Sequence, residues 1–420
     1  MFHLFAYNNF HKVLKINDLW LKWTLKRGAH VLGALFFVLF LFGCRESGEP
    51  VQKSEPIQMK PMEYSRFFRI GEISDNKVVE LLSVVGGDTL VRRYTLSFDS
   101  EVSGNAALKV PLRRVVALSS SHLGYMLRLG LSDRVVAVGE GRYIVDEGLY
   151  KRFKERALVE LGYGNAMNVE KLMATKPDVI FTFATGSGHD DYARLESLGL
   201  NVMLTSEWQD ESPLAKAEWI KLYATLFDSG DGRLVARADS IFRSEVAEYN
   251  RVRDYVGQHF SSSDTSCIGP RVLAGMSYGG VWFAPGAESY TARLIKDAGG
   301  CYLFRDVPGR EIRLTLEDVL KEADKVDVWL NPGMLSSVRE ILETEPRVAS
   351  IRAFRDGRVY QNDGYLGPGG GSDFYESAVV RPSDLLKNMV ECLQSRYIPF
   401  DSTGNFLRTE TRWYHNIISL

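Results

Sequence analysis

Two series of short apolar strands, each alternating with helix-length segments, are separated by one long amphipathic stretch, and that arrangement constrains the fold more than any other feature. The first series runs through 114–118, 135–138, 178–183 and 201–204. The second runs through 271–276, 325–330 and 357–361, interleaved with helical patterns at 288–298, 315–323 and 374–393. Strand and helix in alternation predict parallel α/β sheets. Between the series, after the break at 228–232, Leu234, Ala238, Ile241, Phe242, Val246, Tyr249, Val252 and Val256 recur at three- and four-residue steps. The spacing predicts one helix over 233–258, roughly 40 Å long at about 1.5 Å per residue. Its position makes it a stiff connector between two lobes; a long core helix of one domain is the competing reading.

A second constraint lies near the start. The apolar run from Val31 to Gly43 follows Lys22, Lys26 and Arg27, is short for a bilayer span, and ends at Cys44 with polar sequence beyond. It reads as a lipoprotein export signal, with the mature chain acylated on Cys44 and held to a membrane on the periplasmic side of the cell envelope. A plain transmembrane helix is the alternative. Residues 1–44 are then signal, and 45–63, without apolar periodicity, a flexible tether. Residues 64–110 form a β-rich extension, with a hairpin of 77–85 and 89–98 about Gly86-Gly87-Asp88. An N-terminal α/β lobe follows at 111–231, the linking helix at 232–258, a C-terminal α/β lobe at 259–400 and a tail at 401–420. A net charge of −2 without a basic block gives no nucleic-acid footprint. Cys267, Cys301 and Cys392 leave open whether any bridge forms and between which pair.

Four segments in order carry a resemblance. Residues 111–139 read as strand, Ser-rich turn, helix ending in Leu-Gly, and strand; 161–183 as a Gly turn, Asn-x-Glu and Lys-Pro-Asp before a strand; 284–304 as Gly-x-Glu-Ser and a helix running into Ala-Gly-Gly; 358–390 as a closing strand, a loop and a final helix. Together they resemble the substrate-binding proteins of ABC importers for iron-siderophore, haem and cobalamin, over about residues 111–400. The usual Pro of the Ser-rich turn is absent from Ser119-Ser120-Ser121. The resemblance implies two Rossmann-like lobes with central parallel sheets joined by one long helix. It also implies an inter-lobe cleft, a permease dimer as partner, a monomeric receptor without resident cofactor or catalysis, and an iron complex (siderophore or haem) as cargo, with a corrinoid as the alternative. It assigns Glu170 and Glu288 to permease docking; both also suit the first turn of a helix, where a carboxylate favours the dipole.

In open α/β sheets ligands gather at the carboxyl ends of strands. Those loops offer His122, Arg142, Tyr143, Tyr163, His189 and Trp208 on the first lobe, and Tyr278, Trp282, Arg305, Arg310, Tyr365, Asp373 and Tyr375 on the second. Aromatic walls with a few cations suit a large, flat, partly anionic chelate. His122, His189 or a tyrosinate are the candidate axial ligands for haem. No convergent set of His and carboxylate ligands for a bare metal ion is visible. Gly275-Met276-Ser277-Tyr278-Gly279 raises a different class, an exported serine hydrolase using Ser277. A nucleophile elbow, however, requires a helix directly after it, and Gly279–Pro285 reads as extended chain. Three Gly-x-Gly turns lack the third glycine of a dinucleotide loop.

Overall fold

The computed structural model describes residues 57–73, 76–98, 107–188, 190–260, 267, 269–394 and 413–418. The expected signal, Cys44 and most of the expected tether lie outside them. Five strands open the described chain: β1 (Gln58–Pro61), β2 (Phe68–Ile73), β3 (Asn76–Val85), β4 (Asp88–Ser97) and β5 (Ala107–Lys109), in that spatial order. The extension is therefore a whole sheet and not a hairpin alone. Its longest pair turns at Gly86 and Gly87, both at positive φ, where a side chain would be strained.

The first lobe is a fully parallel sheet of β6 (Val115–Ala117), β7 (Val135–Val138), β8 (Val159–Glu160), β9 (Val179–Thr182) and β10 (Val202–Leu204), ordered β10-β9-β6-β7-β8. Its helices are α1 (Ser120–Arg128), α2 (Glu147–Lys154), α3 (Val169–Thr175), α4 (Tyr192–Ser197), α5 (Pro213–Glu218) and α6 (Ile220–Phe227). Phe68, Val79 and Leu81 of the extension share one core with Val115, Phe181, Trp219 and Tyr223, so this sheet is packed into the lobe.

Helix α7 (Arg233–Phe260) joins the lobes over 28 residues, about 42 Å. Asp228 starts it, accepting from the amides of Gly230, Gly232 and Leu234 at 2.9 to 3.1 Å. Its buried stripe runs Ala238, Phe242, Glu245, Tyr249, Val252, Val256. The first pair packs in the core of the first lobe and the last three in that of the second. Glu245, at the waist, accepts from Ser383 Oγ at 2.6 Å and lies 3.5 Å from Arg128.

The second lobe holds β11 (Arg271–Ala274), β12 (Met276–Tyr278), β13 (Val281–Pro285), α8 (Tyr290–Asp297), β14 (Cys301–Tyr302), β15 (Glu311–Thr315), α9 (Leu316–Leu320), β16 (Val328–Leu330), α10 (Val338–Thr344), α11 (Arg352–Arg355), β17 (Val359–Gln361), α12 (Pro382–Leu393) and β18 (His415–Asn416). One sheet is ordered β14-β11-β16-β17-β18, parallel except for β18; β12, β13 and β15 form an antiparallel side sheet. Two expectations change here. The helix expected over 374–393 starts at Pro382, where proline suits the first turn, behind two short 3-10 turns. Residues 413–418, expected as tail, add an edge strand and bury Trp413 and Tyr414. Cys267 and Cys301 are disulfide-bonded, and Cys392 is a buried thiol on α12 outside that bridge.

The end of the expected tether is tied down by Glu218. This fully buried carboxylate accepts from the amides of Glu63, Tyr64 and Ser65 at 2.8 to 3.0 Å and pairs with Lys221 at 3.0 Å. Removing it strands three donors and leaves a cation uncompensated. Glu218→Ala should lower stability by about 3 kcal/mol or more in equilibrium urea unfolding; a loss below about 1 kcal/mol would contradict that role.

Candidate functional site

The carboxyl ends of the two parallel sheets face each other, because the loops that follow them touch. Gly367, Gly369 and Gly371, in the loop after β17, lie against Val145, Arg142 and Tyr143, which follow β7. An added Cβ at Gly371 would fall 2.3 Å from the Tyr143 carbonyl oxygen, so only glycine allows this approach. After β10, the Trp208 carbonyl accepts from Arg310 of the second lobe at 3.1 Å, and the guanidinium sits 5.8 Å from the indole centroid. Lys216 of α5 reaches across to the Tyr290 ring of α8 at 3.9 Å, and burial lowers its ammonium to about 8.

One carboxylate fixes the seam. Glu376, 2% exposed, accepts from the amides of Val145 at 3.0 Å and Asp146 at 2.8 Å, more than two hundred residues away in sequence. Its own carbonyl approaches α1 so closely that a Cβ at Gly124 would lie 1.9 Å from it. Burial pushes the Glu376 carboxyl up to about 7, against the two amide bonds that lower it.

The expected cleft residues divide into three groups. Tyr143, Tyr163, Trp208, Tyr365 and Tyr375, on loops after strands, and Tyr278, the last residue of β12, are solvent-exposed by 36% to 56%. Arg142 lies over the Tyr143 ring at 4.6 Å and donates to Glu140 at 2.6 Å. Tyr163 leans on Gly139, and burial, then Glu140, pushes its phenol up to about 12, so it stays protonated at neutral pH. Tyr278 packs on Gly333 below Met334, which is 94% exposed. Trp208 and Arg310 also border a cavity of about 340 Å³ with Phe283, Tyr290 and Glu311.

Three other candidates are core groups. His122 is fully buried: Nδ1 accepts from the Ser119 amide at 3.2 Å, and Nε2 meets Thr205 Oγ1 at 2.9 Å. Burial lowers its pKa despite Glu207 nearby, so the imidazole is neutral and committed. Trp282 is buried and donates to the Ala274 carbonyl at 3.0 Å. Asp373, 5% exposed, accepts from Trp413 Nε1 at 2.8 Å and from Ser377. The third group lies elsewhere. Arg305 lines a separate groove of about 850 Å³ with Arg66, Glu288, Arg293 and the Cys267 end of the disulfide, and His189 falls outside the described residues. Ser277 is buried on β12, and β12 turns straight into β13; the pentapeptide is a hairpin, with no helix after the serine.

Glu376, Lys216, Gln209 and Met334 were not singled out by sequence. Only Gln209 carried a signal, in a polar run directly after a strand. Glu170 and Glu288, the expected docking pair, are both exposed, Glu170 in the first turn of α3 behind the Asn168 cap and Glu288 just ahead of α8.

Two parallel-sheet lobes, one linking helix and a cleft between their carboxyl ends define a bilobal solute-binding protein. Comparison with known proteins gives the family: the periplasmic binding protein profile matches residues 115–366, and the chain belongs to that family. An uncharacterized lipoprotein of Methanocaldococcus jannaschii is 22% identical over 314 residues, covering 72% of this chain and 70% of its own. A periplasmic haem-binding protein of Pseudomonas aeruginosa superposes with a TM-score of 0.51 at 19% identity, covering 71% of this chain and 99% of its own. A possible iron-binding (periplasmic solute-binding) protein of Staphylococcus epidermidis superposes at 0.50 with 16% identity, covering 67% and 99%. These likenesses establish the fold. Among the described residues, no helix is long and apolar enough to cross a membrane.

The raised carboxyl of Glu376 makes the seam pH-sensitive. A folded-state pKa near 7 against an ordinary 4.5 means the folded chain keeps a proton that the unfolded chain has lost. The contribution is thus complete below pH 4.5, declines as pH rises, and is gone above about 7. The stability difference between wild type and Glu376→Gln should shift against wild type by on the order of 3 kcal/mol between pH 4.5 and 7.5, read by urea unfolding. A difference that stays flat with pH would contradict this.

Proposed function

We propose that the chain is the membrane-anchored binding component of an ABC importer, capturing an iron complex, siderophore or haem, between its lobes and handing it to the permease. The observation that carries the reading is the set of exposed rings on strand ends of both lobes, Tyr143, Tyr163, Trp208, Tyr278, Tyr365 and Tyr375, with Arg142 over Tyr143 and Arg310 over Trp208. Rings supply contact area at low entropic cost, and guanidinium forks suit carboxylate or catecholate oxygens. A bare ion needs a shell of protein donors, and among the described residues no group of three or more His, Cys, Asp or Glu is gathered to supply one. A chelate brings its own shell. The haem-binding and possible iron-binding proteins among the structural relatives, and the Methanocaldococcus jannaschii lipoprotein, support the same class and an acylated Cys44 on the outer side of a membrane. A corrinoid in the same cleft is the second reading, favoured by the same flat aromatic walls.

The single rigid connector keeps lobe motion small, so affinity comes from a preformed cleft. Haemin, a ferric hydroxamate, a ferric catecholate and cyanocobalamin, each titrated by absorbance, separate the readings. One of the iron complexes should bind at micromolar concentration or tighter, and Tyr143→Ala with Tyr375→Ala should weaken it by about tenfold or more. Binding of cyanocobalamin alone would replace the iron reading, and binding of none would remove both.

Glu170 and Glu288 stand as the docking carboxylates, with exposed charges that speed encounter and fix orientation. Glu170→Arg with Glu288→Arg should abolish uptake by whole cells while solution affinity stays unchanged. Normal uptake by that double variant would remove the docking role.

A further inference from the structure

The sheet β1–β5 precedes residues 115–366, so the family match does not account for it. Its contacts nevertheless converge on one of the cleft loops. Within Ser206–Asp210, Ser206 Oγ meets Ser83 Oγ at 2.6 Å. Gln209, 2% exposed, accepts from the Val84 amide at 3.0 Å and donates to the Val84 carbonyl at 2.8 Å. Asp210 accepts from Ser65 Oγ at 2.8 Å and Trp219 Nε1 at 2.6 Å. Glu207 accepts from Ser121 at 2.6 Å. Four of five side chains are thus tied to other elements, three of them to the N-terminal extension. Trp208 alone is left pointing out, 40% exposed and under Arg310 of the opposite lobe. The hairpin tip also abuts the loop after β9, where an added Cβ at Gly186 would fall 2.6 Å from the Gly86 nitrogen.

The pairing at Val84 has a definite cause. Strand β2 pairs with β3 from Phe68 opposite Leu81, and the Leu82 amide still donates to the Phe67 carbonyl at 2.8 Å; beyond Leu82 that edge of β3 has no β2 partner. A glutamine side chain carries an acceptor oxygen and a donor NH2 at amide spacing, so Gln209 fills the place of a strand residue beside Val84. The bond pair is directional in a way that packing is not.

We propose that the N-terminal sheet is part of the ligand-binding apparatus, holding the 205–210 loop so that Trp208 faces Arg310 across the lobe gap, with Gln209 as the positioning residue. This rests on the cleft being the ligand site, but its test does not need the ligand. Trp219, Trp282, Trp329 and Trp413 are fully buried, so Trp208 dominates the quenchable emission of the described residues. Subtracting the signal of Trp208→Phe isolates it.

In the full chain, Gln209→Ala should raise the acrylamide quenching constant of the Trp208 component by about twofold, because a loosened ring leaves its packed position. The far-ultraviolet spectrum and cooperative melting should persist. Ser83→Ala removes a single bond to the same loop and gives a smaller rise in the same direction, which keeps the test open should Gln209→Ala fail to fold. Gln209→Glu keeps the acceptor for the Val84 amide and should fall between wild type and Gln209→Ala. A Trp208 component unchanged in Gln209→Ala or, if that variant does not fold, in Ser83→Ala would overturn the proposal. Haemin titration of Gln209→Ala should show about tenfold weaker binding than wild type. Wild type that fails to bind haemin would count against the haem reading alone, and the quenching result would still decide the role of Gln209.

Discussion

The two parallel sheets can offer a shared site only if their carboxyl ends stay at a fixed separation, and the helix between them does not set it alone. A rod of 28 residues, its stripe packed into both lobe cores, holds the lobes at one end of the gap. Glu376 adds a second restraint by binding consecutive amides of the opposite lobe. The glycine-rich loop beside it, seated on Arg142–Val145, adds contact that side chains would forbid. At the waist, Glu245 holds Ser383 and faces Arg128, so a polar group interrupts the apolar stripe of the helix where the lobes meet.

The same device recurs where the extension meets the first lobe. Glu218 gathers the amides of residues 63–65, and Asp210 binds Ser65 and Trp219. Burial pushes Asp210 up to about 6 and Glu376 up to about 7, and it raises Glu245 as well. Each group is shielded enough to lose much of its preference for charge, yet each remains hydrogen-bonded, which limits the desolvation cost. The extension is thereby joined to the lobe by directional bonds as well as by the shared core around Phe68 and Trp219.

Local patterns made much of the fold legible. The apolar strands of both sheets appear as short β-branched runs, and the linking helix as a 3–4 repeat whose stripe matches the observed burial from Ala238 to Val256. The Gly86-Gly87 turn was readable for the same reason. What escaped depends on partners remote in sequence. Nothing near Glu218 reveals that it binds residues some 150 positions earlier, and a two-residue strand at 415–416 has no period to detect. The exposure of Tyr143, Tyr163, Tyr365 and Tyr375 was legible because a ring in a loop after a strand has little local core to enter. His122 misled because α1 turns inward directly after β6, and its imidazole closes a capping box where a glutamate or glutamine is usual. Trp282 misled in the same way, since β13 pairs on both sides and buries that face.

The polar character of the lobe seam bears on what such a cleft can hold. Apolar burial is non-directional, so a seam built from it alone would allow the lobes to slide. Hydrogen bonds weaken steeply with angle, so Glu376 and the Arg310–Trp208 contact set a register and not merely adhesion. A register fixed before a ligand arrives spends little binding energy on closure. A cleft held this way spends less on a guest that fits the lobes as they stand than on one they would need to wrap.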